Sequence, residues 1–335
     1  MRIFQQEIIS SFSSEAKTYP QKHLVVYFFH PYCGAHCSHC WSDKYNFGRI
    51  MDISWHRKFW SLIDFSKIKE IRISGGEPLE SKNLKEFVGY LRRIAPKSIL
   101  IKLYTSGRRL SGKNLISTQS DGVDETAFNI KSHGLLLDNF VICLSVDENH
   151  ASSLGRITGN HNGIMLMKNM ARNFISAIKA LQIECPEMHF GGVAKMHVSF
   201  GRIKWNKEAF FNFLDDGDYE QYIIATEGLF MQGNALDGYT QFTEVKPEST
   251  PTLFIIPGAK VTRKSKNKFS QRYLDTTTGK NVHVSKSLSN DSGVFISDFV
   301  NLVNMRINER WDNIFRYIGI CSSLNEWRRF VTNQD

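Results

Sequence analysis

No stretch of the 335 residues stays apolar for the roughly 18 positions that a membrane helix requires, so no membrane span is expected. Positions 1 to 22 are polar, hold Glu7 and Glu15, and contain no apolar core of the kind a secretory signal needs. Cysteine is scarce and unevenly placed: six in the whole chain, three of them between positions 33 and 40. That distribution excludes a disulfide framework and points to a reducing compartment, the cytoplasm. Acid is in deficit, 33 Asp and Glu against 42 Lys and Arg, leaving a net charge of +9. Much of the excess gathers in the stretch 260–272, at Lys260, Arg263, Lys264, Lys266, Lys268 and Arg272. Read functionally, this is a basic loop that could meet a nucleic acid, a phosphorylated small molecule or an acidic peptide. Read plainly, it is a solvated loop held open by self-repulsion. It holds a single aromatic residue, Phe269, and matches no nucleic-acid module, so charge alone does not make this an RNA enzyme.

What the chain does hold is enough apolar residue, 41%, to bury a full core. Apolar runs alternate with helical patterns, as in a parallel sheet with crossover helices. Leu24 to Phe29, Ile71 to Ser74, Ile99 to Tyr104, Phe140 to Val146 and Tyr222 to Thr226 read as strands. A fifth strand in chain order lies at either Met188 to Ala194 or Met196 to Phe200. Between the second and third strands, Leu84, Phe87, Val88 and Leu91 recur at helical spacing, which predicts a helix over Asn83 to Ile94. In Phe140 to Asp147, alternation sets Val141, Cys143, Ser145 and Asp147 on one face. Polar residues gather just past the C-terminal ends of these strands, where α/β enzymes carry their chemistry.

Two motifs stand at such ends. Cys33, Cys37 and Cys40 follow the first strand as C-x3-C-x2-C, and Ser74-Gly75-Gly76-Glu77-Pro78 follows the second. Three thiolates on one short loop can hold a 4Fe-4S cube and leave one iron open. The paired glycines let backbone approach a ligand with no Cβ in the way, beside a carboxylate able to meet a cation. A zinc site is the competing reading, since His30, His36 and His39 are near enough to complete a Cys3His set.

In this order, the two motifs resemble those of the radical S-adenosylmethionine superfamily. That resemblance implies a partial (β/α)6 TIM-like barrel of α/β class. It implies Cys33, Cys37 and Cys40 as ligands of a single 4Fe-4S cluster, and S-adenosyl-L-methionine as the second cofactor, met by Gly75, Gly76 and Glu77. It adds Ser145 and Asp147 as groups lining the ribose and methionine, and Arg156 as a partner for the methionine carboxylate. His39 stands where the family usually has an aromatic residue, with Trp41 following; Gly228 to Ala235 is similar to a Gly-Arg-Ala turn, with Asn234 for arginine.

Three regions are expected: an N-terminal segment 1–21, the core barrel 22–242, and a small α+β extension 243–335 that could bind substrate. Thr252 to Ile256 followed by Pro257-Gly258-Ala259 resembles the opening of a SPASM-type region without its cysteines. Beyond Asp147 only Cys185 and Cys321 remain, too few for an auxiliary cluster, and no room exists upstream for a cobalamin domain. The resemblance therefore implies one-cluster chemistry: hydrogen abstraction from a peptide or natural-product precursor, with a tRNA- or nucleotide-modifying enzyme and a non-catalytic zinc-binding protein as alternatives. Cys143, Cys185 and Cys321 are candidate hydrogen donors, since a thiol quenches a carbon radical well. No second cluster or flavin motif is present to relay an electron, so a flavodoxin or ferredoxin is the expected reductant.

Overall fold

Six strands lie side by side in chain order in the computed structural model, each parallel to the next. They are β1 (Leu24–His30), β2 (Ile68–Gly75), β3 (Leu100–Thr105), β4 (Phe140–Val146), β5 (Phe190–Val198) and β6 (Ile223–Glu227). The structure describes residues 24–30, 33–37, 52–61, 65–112, 120–159, 162–198, 222–227, 252–255, 282–284 and 294–296. Cys40, Cys321, the basic stretch 260–272 and the Gly228 to Ala235 turn lie outside them.

The five helices among the described residues are α1 (Ile53–Ser61), α2 (Leu84–Ile94), α3 (Ser120–Ser132), α4 (Glu148–Thr158) and α5 (Gly163–Glu184). None of the described helices is long and apolar enough to cross a membrane. Because each new parallel strand is added on the same side of its predecessor, right-handed crossovers carry the helices to one face of the sheet. The core follows that rule. Ile71 and Ile73 of β2, Ile101 and Leu103 of β3, and Ile142, Leu144 and Val146 of β4 share one buried cluster with helical residues. Those include Phe87 and Leu91 of α2, Ile130 of α3, and Met170, Phe174 and Ile178 of α5. Helix α2 starts and ends within a residue of the sequence expectation, because its buried set Leu84, Phe87, Val88 and Leu91 repeats at 3.6-residue spacing. Pro96 bars continuation, and Arg92 donates to the carbonyls of Ala95 and Ile99, just past the helix end, at 2.7 and 2.9 Å.

Helix α5 lies close on β5 because Gly192 has no side chain: a Cβ there would come within 2.6 Å of Ile178 and 2.8 Å of Phe174. The two candidate segments for this strand are one strand, Phe190–Val198. Lys195, which interrupts its apolar run, shares a face with Val193 and sets its ammonium 4.8 Å from the centre of the Tyr104 ring.

The opposite face of the sheet is also buried, and it is charged. Tyr104, Val141, Cys143 and Val193 form a small apolar cluster there. Beside it, Arg72 of β2 stands in register with Lys102 of β3, and both pair with Glu70: Lys102 Nζ lies 2.7 Å from Glu70 Oε2, and Arg72 Nε donates to Glu70 Oε1. All three are buried.

The sheet continues past β1. Strand β7 (Thr252–Ile255) pairs parallel with β1; β9 (Val294–Ile296) pairs parallel with β7; β8 (Val282–Val284) closes the described order antiparallel to β9. Strands drawn from 243–335 thus share one sheet with those of 22–242.

Candidate functional site

In a parallel sheet all strand C-termini lie along one edge, so the segments that follow β1 to β4 become neighbours there. His30 at the end of β1 is level with Gly75 at the end of β2, and Thr105 of β3 is level with Leu144 of β4. The cysteine loop, the Gly75-Gly76-Glu77 turn, Thr105-Ser106 and Asp147 are thereby collected along that edge.

Glu77 is buried, and its carboxylate is held within the chain. Oε1 accepts from Leu79 N–H at 3.1 Å and Thr105 Oγ1 at 2.7 Å; Oε2 accepts from Ser106 N–H at 2.8 Å and Ser106 Oγ at 2.5 Å. It caps the 3-10 turn Pro78–Glu80 and ties the end of β2 to the end of β3. Ser106 can approach because the chain turns sharply at Gly107, whose φ of +77° suits glycine and whose Cβ, were there one, would lie 2.2 Å from Leu144. With the carboxylate engaged in this way, Gly76 just ahead of it remains partly exposed.

Asp147 is also buried and also capped. Its Oδ1 accepts from the backbone N–H groups of Asn149 and His150, both at 2.9 Å, starting helix α4. Its Oδ2 lies 2.7 Å from His150 Nδ1. Burial alone would lower the His150 pKa, but the Asp147 carboxylate and, more remotely, Glu77 outweigh it and raise the imidazole above its usual 6.5. Ser145, one layer down on β4, is buried.

The cysteine loop is fixed from two sides. Gly34 N–H donates to Glu80 Oε2 at 3.0 Å, and Glu80 is itself paired with Arg108. From α4, Ser153 Oγ donates to the Ala35 carbonyl, and Arg156 Nη2 donates to the carbonyls of Ala35 at 2.7 Å and His36 at 3.1 Å. The Arg156 side chain, expected at a methionine carboxylate, is thus placed on the loop backbone. His36 takes a left-handed φ of +48°. Cys37 is buried, Cys33 partly so, and neither forms a disulfide. Ala35 N–H points at Cys33 Sγ from 3.4 Å. Two thiols on one short, braced loop are a donor set suited to a soft metal centre. Among the described residues no group of three His, Cys, Asp or Glu side chains forms a metal site, and the third thiol of the motif, Cys40, lies outside them.

The two candidate hydrogen donors among the described residues, Cys143 and Cys185, lie apart. Cys143 is fully buried on the charged face of the sheet, and burial pushes its thiol up to about 11, with Lys102 and Lys195 pulling the other way, so it stays protonated. Cys185 caps the C-terminal end of α5, just ahead of β5, and so lies toward the edge of the sheet opposite the cysteine loop. The residues that sequence reasoning missed are Glu80, Arg108, His150 and Ser153. Their signal was weak: single polar or charged residues three to six positions beyond Glu77, Thr105 and Asp147, whose partners are set only by the fold.

Residues 23–120 match the family model described as a 4Fe-4S single cluster domain. No curated protein matches the chain. Among solved structures, Streptococcus suis SuiB bound to S-adenosylmethionine aligns with a TM-score of 0.36 and 9% identity, over 82% of this chain and 49% of that one. The chain therefore spans about half the length of SuiB. The GH18 chitinase ChiB from the chitin utilization locus of Flavobacterium johnsoniae aligns with a TM-score of 0.32 and 9% identity, over 85% of this chain and 83% of that one. Likenesses this distant transfer neither fold nor chemistry, and the match of residues 23–120 is what supports a 4Fe-4S cluster.

Proposed function

We propose that this chain is a radical S-adenosylmethionine enzyme that abstracts hydrogen from a peptide or another natural-product precursor. One observation carries the reading: the cysteine loop after β1 and the Gly75-Gly76-Glu77 turn after β2 leave adjacent parallel strands at the same edge, within a segment matching a single-cluster 4Fe-4S domain. On this reading Cys33, Cys37 and Cys40 hold the cluster as thiolates, and the backbone of the Gly75-Gly76 turn meets the amino-acid end of S-adenosylmethionine. When bound and reduced, the pair supplies a 5′-deoxyadenosyl radical as the hydrogen-abstracting agent.

The chain's own contribution is placement. Glu77 fixes the turn whose backbone would bind the cofactor, and Asp147 with His150 sets the next wall at the end of β4. The buried face beneath, with Tyr104, Cys143 and Val193, excludes water from the floor of the site, as a curled sheet approaching a barrel would require. The segment 243–335, joined to β1 through β7, is assigned to substrate binding. A flavodoxin or ferredoxin supplies the electron, and a reducing cytoplasm suits the cluster.

Anaerobic reconstitution with iron and sulfide, then dithionite and S-adenosylmethionine, tests the proposal. About four irons per chain and release of 5′-deoxyadenosine are expected. One tightly held zinc with no 5′-deoxyadenosine would replace the proposal with a binding role, and turnover of a tRNA in place of a peptide would replace the substrate class.

A further inference from the structure

The cysteine loop owes its shape to side chains from elsewhere in the chain. Among its described residues, three consecutive backbone groups are captured: the Gly34 N–H by Glu80, the Ala35 carbonyl by both Ser153 and Arg156, and the His36 carbonyl by Arg156. The donors on α4 stand 118 to 121 residues away in sequence. A loop following a strand ordinarily keeps much of its freedom, and bringing thiols together on such a loop would cost conformational entropy at the moment of metal binding. Here the freedom is removed beforehand. His36 also holds a left-handed backbone that a residue with a Cβ adopts only when its surroundings impose it. The imposing contact is visible, because Arg156 takes the carbonyls on both sides of the His36 Cα. Glu80 in turn is steadied by Arg108, and it lies one turn past Glu77, so the bracket on the cysteine loop and the tie between β2 and β3 share one short segment.

We infer that Glu80, Ser153 and Arg156 are positioning residues that set the cysteine loop in its ligand-binding shape before any metal arrives. This rests on the reading of Cys33, Cys37 and Cys40 as cluster ligands. Arg156 is the member to perturb, since it is exposed on α4 and its loss leaves the core untouched. Its two loop contacts come from a single nitrogen, so an ammonium can replace it in kind.

The test uses the full chain under anaerobic conditions, as wild type, Arg156→Ala and Arg156→Lys. Amide exchange across residues 33–37 is read in the metal-free protein; iron content and the EPR signature of the reduced cluster are read after reconstitution. In Arg156→Ala, exchange is expected to rise about tenfold or more, the loss of two charge-assisted hydrogen bonds, while far-UV circular dichroism is unchanged. The same variant is expected to show a shifted or broadened EPR signal, and Arg156→Lys to restore most of the protection and the signal. Glu80→Gln probes the bracket from its other side and answers the same question if Arg156→Ala fails to fold. Wild-type exchange and an unaltered EPR signal in Arg156→Ala would overturn the inference and leave the cluster reading standing. A wild-type chain that takes up no iron would overturn the cluster reading, and the inference with it.

Discussion

Replacing Glu70 by Gln should cost the fold several kcal/mol although the residue lies away from the proposed cofactor. Its carboxylate sits between Arg72 and Lys102 on the face of the sheet opposite the helices, with Lys102 Nζ at 2.7 Å. Burial by itself would raise the Glu70 pKa, but the two cations outweigh it and bring the carboxyl from 4.5 down to about 2. A fall of that size corresponds to about 3 kcal/mol of folding stability. The sign follows from the direction: a depressed carboxyl stabilises the fold in full above its unfolded value of 4.5, and the contribution drains away as pH falls toward about 2. Lys102 pulls the other way, because burial lowers its pKa by more than the shared carboxylate restores. Its ammonium is thus a standing cost that Glu70 limits, and removing Glu70 leaves that charge buried with a second cation beside it. Losing one partner of a buried pair costs about 3–5 kcal/mol, in line with the pKa argument. The assay is urea unfolding of the metal-free chain at pH 7 followed by tryptophan fluorescence, repeated down to pH 3. Glu70→Gln should lower the unfolding free energy by about 3 kcal/mol or more and flatten its acid dependence below pH 4.5, and adding Lys102→Met should recover a large part. A loss under about 1 kcal/mol, the range of an exposed ion pair, would refute the reasoning.

Three further outcomes follow from the site. Cys37→Ala should abolish iron loading and 5′-deoxyadenosine release together, measured by iron assay and chromatography; retained cleavage would sink the family reading. His36→Gly should leave the unfolding midpoint unchanged or higher, because a left-handed backbone costs an L-residue about 1–2 kcal/mol, whereas His36→Val should lower it. Asp147 holds the His150 imidazole above 6.5, so the pair stabilises the fold fully below pH 6.5 and loses that contribution as pH rises through the raised value. Unfolding of wild type and His150→Asn compared from pH 6 to 9 should converge at the alkaline end.

Much of the fold is legible in the sequence because its strands are short apolar runs bounded by polar turns. Phe140–Val146 is seen to its ends, and α2 is read from four apolar residues at helical spacing. Partner choice is not legible in the same way. Thr252 to Ile256 resembles the opening of a C-terminal extension, yet nothing in its residues says that Thr252–Ile255 joins the free side of β1 and so carries the sheet beyond the core. The charged face is hard to read for a related reason. Arg72 and Lys102 alternate with Ile71, Ile73, Ile101 and Leu103, the pattern of a strand with one face in water. Only the register between β2 and β3 shows that both cations meet Glu70 away from solvent. At the site, the cysteines and the Gly75-Gly76-Glu77 turn announce themselves by composition. Ser153 and Arg156 could not, since what they hold lies 118 to 121 residues earlier.

The same geometry separates two kinds of work that the motif residues had been expected to share. A carboxylate that already accepts from Leu79 N–H, Thr105 Oγ1 and both donors of Ser106 has little left to offer a ligand's ammonium. Its removal should therefore show first in the protein alone. Glu77→Ala leaves four donors at the β2–β3 junction without their acceptor, and each buried donor stranded in this way costs about 1–3 kcal/mol unless water reaches it. The prediction is a lower unfolding midpoint in the metal-free chain, together with weaker S-adenosylmethionine binding. Glu77→Gln, which keeps an acceptor oxygen but replaces the other with a donor facing Ser106 N–H, should fall between wild type and Ala on both measures. If Glu77 instead gripped the cofactor directly, Glu77→Gln would lose binding while the metal-free midpoint stayed at its wild-type value. Calorimetry of the metal-free variants beside isothermal titration of the reconstituted ones distinguishes the two. On the proposed reading, a turn tied down by its own glutamate offers backbone, not side chain, to the cofactor, a use that two glycines ahead of the acid would suit.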